Sequence, residues 1–302
     1  MNVNRRALLE AGATLALDSA SAELVELLRE RGVRAVLLRG PSIARRLYAE
    51  GGRSYEDVDL LVPPDDIAAL ERVVRGAGFE LTARDVHAAP WIRRSDGMIL
   101  DVHTTMIGVG APPGEVWREL GGATEILALP RGEVEVLQLP GLALNVALHA
   151  AQHGVEGGKS LEDLLRALEL LPEDAWREAA TLAKRLDAVP AFATGLRLLP
   201  LGVELAERLA LPIEHSRELA LRAGSAPPTA LGFWRLAETP GLGNKVGLLG
   251  RELAPSPAFM RAMYPVARRG RAGLAAAYLW RPVSLARQVG PGFRAWRRAR
   301  SG

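Results

Sequence analysis

Apolar residues recur along this chain with two periods, and the point where one gives way to the other divides it. Residues 4 to 17 and 21 to 31 repeat at helical spacing, with Ser21 placed to cap the second segment and Gly32 to stop it. Val33 to Arg39 reads as a strand. Gly40-Pro41-Ser42 follows, and Ile43, Ala44, Leu47 and Tyr48 then mark a helix that proline can open without losing a needed N–H. Asp57 to Val62 alternates acid and apolar residues before turning wholly apolar, and Pro63-Pro64 ends it, so it is predicted as a mostly buried strand. A helix with the stripe Ile67, Leu70, Val73 and Val74 comes next. Strands over Phe79 to His87, Trp91 to Arg94 and Met98 to His103 suit an antiparallel meander. Glu115 to Leu120 reads as a short helix, and Ile126 to Leu129 with Val134 to Leu139 as a hairpin around Arg131-Gly132.

Beyond Leu139-Pro140-Gly141 the period is helical, with helices predicted at 142 to 153, 160 to 171, 173 to 186, 191 to 209 and 213 to 223. Residues 224 to 257 carry no clear pattern. The fold class is therefore α+β: a mixed-sheet core with flanking helices over 1 to 139, an all-helical domain closing a cleft over 140 to 254, and a helical tail over 255 to 302.

Composition narrows the function. With 302 residues, 48% of them apolar, the chain buries a substantial core. The absence of cysteine excludes disulfides and thiolate metal sites. No uncharged apolar run approaches the roughly 20 residues of a membrane span, and residues 1 to 10 lack a signal-like apolar stretch, so a cytoplasmic protein is expected. Charge is split. From Leu253 onward there are ten arginines and no acid, and removing those ten from the net +3 leaves the first 252 residues at −7. Three readings of the tail compete: docking on the acidic body, the first choice because of that charge, or binding a membrane surface or nucleic acid through its arginines and interleaved Tyr264, Tyr278, Trp280, Phe293 and Trp296.

The chemistry gathers on the acidic strand. Asp57 and Asp59, two apart, share a face about 6 to 7 Å from each other along the backbone. Two carboxylates crowded into an apolar strand repel unless a cation lies between them, and oxygen ligands suit a divalent one. Asp101 stands in another short apolar strand, with His103 on its face. The Gly40 turn and the following helix N-terminus would offer N–H groups to a phosphate, aided by Ser42 and Arg39.

The segments "LLRGPS", "RSYEDVDLLV", "ILDVH" and "LQLPGLALNVALHAAQH" resemble the bacterial branch of the nucleotidyltransferase superfamily related to DNA polymerase beta, whose members commonly read Leu-Lys-Gly, Arg-x-x-x-Asp-Ile-Asp-Leu-Leu-Val and Asp-Leu-His. The resemblance covers roughly residues 20 to 170 and departs from the pattern twice: Arg39 replaces a lysine, and Gly40-Pro41-Ser42 replaces Gly-Ser. It implies that the turn holds a nucleoside triphosphate, ATP among the candidates, and that Asp57, Asp59 and Asp101 hold two magnesium ions, with Asp101 free to accept the acceptor's proton. The product would be a nucleotidylated hydroxyl or similar group on a small molecule such as an aminoglycoside, a biosynthetic product, a protein side chain or an RNA end. The alternative is an antitoxin-like or accessory binding protein that keeps the fold without the reaction.

Further positions stay open. Arg53 either contacts phosphate or balances Asp57. His103 either steers the acceptor or makes a structural hydrogen bond. His149 and His153, four apart on one helix face, lack the glutamate and third ligand of a zinc site and fit a polar strip facing the cleft, a placement the resemblance shares together with Asp163. Lys159 either reaches a phosphate or is solvated.

Overall fold

The computed structural model describes residues 2–82, 89–213, 221 and 228–301. The chain opens with one long helix, α1 (Asn2–Glu30), rather than two. Ser21 is not a cap: its hydroxyl donates back to the Leu17 carbonyl at 2.7 Å and the helix runs on. Gly32, at φ +74°, ends the fold of the chain around Leu28 as expected.

Seven strands form one mixed sheet: β1 (Val36–Leu37), β2 (Asp57–Leu61), β3 (Phe79–Leu81), β4 (Ala89–Arg93), β5 (Ile99–His103), β6 (Thr124–Leu129) and β7 (Gly132–Leu137). Their order across the sheet is β3-β4-β5-β2-β1-β7-β6. The meander and the hairpin are antiparallel as predicted, whereas β2 runs parallel to β5 and β1 parallel to β7. Between them stand α2 (Pro41–Leu47), α3 (Ile67–Gly76) and the short α4 (Pro113–Val116), which widens into a π turn over Trp117–Gly121. Part of the strand expected to reach His87 lies outside the described residues.

From α5 (Leu139–His153) the chain is helical: α6 (Gly158–Leu170), α7 (Glu173–Arg185), α8 (Val189–Leu196), α9 (Pro200–Arg208), α10 (Pro228–Glu238), α11 (Leu242–Leu253), α12 (Pro257–Met263) and α13 (Gly270–Ser301). The single helix expected over 191 to 209 is two, because Leu199 before Pro200 is extended at φ −127° and ψ 145°, the conformation that a following proline favours. The helix expected over 213 to 223 falls almost entirely on residues outside those described. Residues 228 to 253, without a legible pattern, hold the two helices α10 and α11, separated by Thr239-Pro240-Gly241.

The core has two faces. One apolar cluster packs α1 and α3 on the sheet through Leu28, Leu37, Leu60, Leu70 and Trp91. The other joins Val36, Leu38 and Leu61 to Leu142, Val146 and Phe192, so α5 lies directly against the sheet. Asn145 on α5 fixes that contact by donating to the Leu38 carbonyl at 2.9 Å, which also satisfies a backbone group at the strand's end. This seam holds the start of the helical region against the sheet end that carries the acids.

Candidate active site

The register of β2 against β5 sets the geometry. In parallel pairing Asp59 lies opposite Asp101 and Leu61 opposite His103, so Asp57, Asp59, Asp101 and His103 share one face of adjacent strands. Ligand atoms of Asp59, Asp101 and His103 all lie within 4.8 Å of one another, a group able to hold a metal ion. Asp57 stands outside that tight group but feels the same charges.

Asp59 is buried, and its Oδ1 takes two partners: Arg39 Nη1 donates to it at 2.7 Å and His103 Nε2 lies 3.0 Å away. Burial pushes its carboxyl up, but the Arg39 charge and the His103 contact outweigh that and hold it below the usual carboxylate range. Its neighbours go the other way. Burial, then the charges of Asp59 and Asp101, push Asp57 up to about 6. Burial and Asp59 likewise raise Asp101. One arginine cannot offset three crowded acids, and the surplus repulsion is what a bound cation would relieve.

A cleft of about 410 Å³ opens over Asp57 and Asp59, lined also by Arg39, Gly40, Arg53, His149, His153 and Lys159, while Asp101 and His103 are not among its lining residues. Three nitrogens of the lining residues are buried and have no hydrogen-bond partner among the described residues: Arg39 Nε, Arg53 Nη1 and His149 Nδ1. Buried polar atoms left unpaired are costly, and two of these belong to cations. Burial, with help from the Arg39 charge, holds His149 well below its ordinary pKa, so its ring is neutral at pH 7. His149 and His153 meet edge to face at 4.6 Å. Lys159 is exposed at the cleft rim, in the first turn of α6, where helical N–H groups lack intrahelical acceptors.

Gly40 answers to two demands. Its φ of +60° is a conformation that disfavours a side chain, and a Cβ there would sit 3.2 Å from the Tyr55 ring. Tyr55 is held by a short hydrogen bond to Asp18, a buried acid of α1 that Arg45 also contacts at 3.1 Å. Neither Asp18 nor Tyr55 stood out in the sequence, although an acid directly after Leu15-Ala16-Leu17 marks an apolar face that must satisfy a charge.

Ser42 departs from the expectation. It is fully buried, does not line the cleft, and its hydroxyl accepts from Arg46 Nη2 at 2.5 Å. The N–H groups expected to be free at the start of α2 are also engaged: Ser42 N–H bonds the Arg39 carbonyl at 3.3 Å, and those of Ile43 and Ala44 bond the Gly40 carbonyl at 3.2 and 2.9 Å. Proline between glycine and serine turns the hydroxyl into the interior, away from where a phosphate would lie.

Arg53 and Asp163 form a separate buried pair. Asp163, wholly buried on α6, accepts from Arg53 Nε at 2.6 Å and Nη2 at 2.7 Å, and from the Tyr48 hydroxyl at 2.8 Å. Arg53 thus ties the loop before β2 to α6, and its Nη1 stays buried without a hydrogen-bond partner. The sequence left Arg53 between contacting phosphate and balancing Asp57; its direct ion-pair partner is Asp163, 110 residues away, with the Asp57 charge a lesser influence.

Among solved structures, the solution structure of the antibiotic-resistance factor ANT(2'')-Ia is similar at 17% identity and TM-score 0.43, covering 59% of this chain and 94% of that one. The crystal structure of ANT(2")-Ia in complex with adenylyl-2"-tobramycin is similar at 18% identity and TM-score 0.42, covering 54% and 94%. An antigenic nucleotidyltransferase-like protein from Paracoccidioides brasiliensis is similar at 15% identity and TM-score 0.37, covering 60% and 92%. No curated protein matches the chain. The family model described as "Uncharacterised nucleotidyltransferase" matches residues 4–201, more than half of the sequence, and the chain belongs to that nucleotidyltransferase family.

Proposed function

We propose that the protein transfers a nucleoside monophosphate from a nucleoside triphosphate to a hydroxyl or similar acceptor, with pyrophosphate leaving. The observation that carries this reading is the face shared by Asp57, Asp59 and Asp101, with more negative charge than its one arginine neutralises. Hard oxygen donors at this crowding fit magnesium, and Asp57, Asp59 and Asp101 would hold two ions, with His103 orienting Asp59 through its ring nitrogen. Magnesium there would neutralise phosphate charge and make an acceptor hydroxyl easier to deprotonate.

The chain's own groups account for the rest. Arg39, Arg53 and Lys159 line the cleft and would meet the triphosphate as cations, and Gly40 would let it approach the backbone; these would take over what the buried Ser42 does not do. A bond forms from the acceptor oxygen to the α-phosphorus as the bond from that phosphorus to the departing oxygen breaks. Asp101 would receive the acceptor's proton. Neutral His149 lines the same cleft and would face sugar or acceptor. Helices α5 and α6 would close this side of the cleft through His149, His153 and Lys159.

One contact favours the second reading, a binding protein without turnover: Arg39 already occupies an oxygen of Asp59. Pyrophosphate release separates the two. Purified protein incubated with each of the four triphosphates, magnesium and cell extract as a source of acceptor is expected to release pyrophosphate, and to stop when magnesium is chelated. Nucleotide that raises the melting temperature while releasing no pyrophosphate under any of these conditions would establish the binding role instead.

A further inference from the structure

The basic tail has a strip that no described residue covers. On α13 Leu279 and Val283, four residues apart, share one side and are exposed, at 78% and 44%. Phe293, further along, lies against the Phe233 ring of α10 instead, with centroids 5.6 Å apart. Arg281 points the opposite way and is buried; its Nε donates to the Glu252 carbonyl at 2.6 Å and its Nη2 lies 3.5 Å from the Glu252 carboxylate. The helix is thereby fixed with its apolar strip outward. Arg287 and Arg294 border that strip, and the Arg287 guanidinium lies 4.8 Å over the ring of half-exposed Trp280.

We infer that this face of α13 rests on a phospholipid surface bearing anionic headgroups. An exposed apolar strip edged by arginines and a tryptophan suits an interfacial helix, the alkyl groups entering the acyl boundary while guanidinium groups stay at headgroup level. The ten arginines and absence of acids after Glu252 supply the attraction. Competing partners fit less well. Nucleic acid would engage the arginines but leave Leu279 and Val283 without an apolar environment, a second copy would bring two strongly basic tails together, and the acidic body leaves the strip open to solvent. No helix among the described residues is long and apolar enough to cross a membrane, so the contact is peripheral.

Flotation of the full-length protein tests this directly. It should rise with vesicles of mixed phosphatidylcholine and phosphatidylglycerol and stay behind with phosphatidylcholine alone. Leu279→Asp, a change on an exposed position, should leave the melting temperature unaltered and weaken flotation at least ten-fold. Arg287→Gln and Arg294→Gln should each weaken it by about five-fold. Absence of flotation with the anionic vesicles, flotation indifferent to Leu279→Asp, or duplex DNA or RNA that strips the protein from the vesicles and binds Leu279→Asp equally well would overturn the inference. A dimer in sedimentation equilibrium that Leu279→Asp dissolves would overturn it too.

Discussion

Asp163 and Asp59 are both buried against an arginine, and they serve opposite ends. Asp163 accepts both prongs of Arg53 and a tyrosine hydroxyl, so its charge is met within the fold and the group fastens α6 to the loop before β2. Asp59 meets Arg39 and His103 at a single oxygen, with Asp57 and Asp101 close enough to be pushed upward in pKa. The first cluster is closed in charge; the second holds an excess and stays open. An arginine beside an acid therefore says little by itself. Arg53 and Arg39 both line the cleft, so it is the count of charges around the pair that distinguishes a structural bond from a candidate place for a cation.

The comparison breaks first at the open cluster. Asp59→Asn and Asp101→Asn should each lower nucleotidyl transfer on the order of a thousand-fold or more, with circular dichroism unchanged. Wild-type turnover in either variant would show that the acids are not the reacting centre. The closed cluster should respond in stability instead. Asp163→Ala leaves Arg53 buried without its partner and should cost about 3 to 5 kcal/mol in denaturant unfolding. A loss under about 1 kcal/mol would mean that the pair adds no more than a surface ion pair.

A smaller effect sharpens the contrast through pH. Asp57 titrates near 6 in the folded protein against 3.8 in the unfolded chain, so the folded state keeps this proton longer. Stability without magnesium should therefore be greatest at the acid side of that window and fall as pH rises from about 4 to 6, then level off. Asp57→Asn should flatten this part of the profile. A variant profile that still falls over the same range would assign the titration to another group.

Much of the open cluster was legible in the sequence, for physical reasons. Period two in Asp57-Val58-Asp59, with Pro63-Pro64 as a stop, fixes both acids on one face, and Asp101 follows from a second short apolar strand. Gly40 was legible because Pro41 predicts a turn into a helix. What failed were matters of long range or of competing hydrogen bonds. Nothing local pairs Arg53 with Asp163, or sets Asp18 beneath Tyr55 to fill the space under Gly40. Ser21 and Ser42 both suggested exposed roles from residue type, yet one hydroxyl bonds the preceding turn and the other meets Arg46, since tertiary packing decides what a small hydroxyl faces. Residues 228 to 253 hid their helices because five glycines between Gly232 and Gly250 mask the apolar period.

The central claim is that the surplus of negative charge on the β2–β5 face exists to bind a divalent cation together with a triphosphate. Melting temperature measured at pH 7.5 with nucleotide, with and without magnesium, in the wild type and in Asp59→Asn, tests it most directly. A magnesium-dependent rise in the wild type that disappears in the variant is the predicted result. An equal rise in both proteins, or none in either, would contradict it.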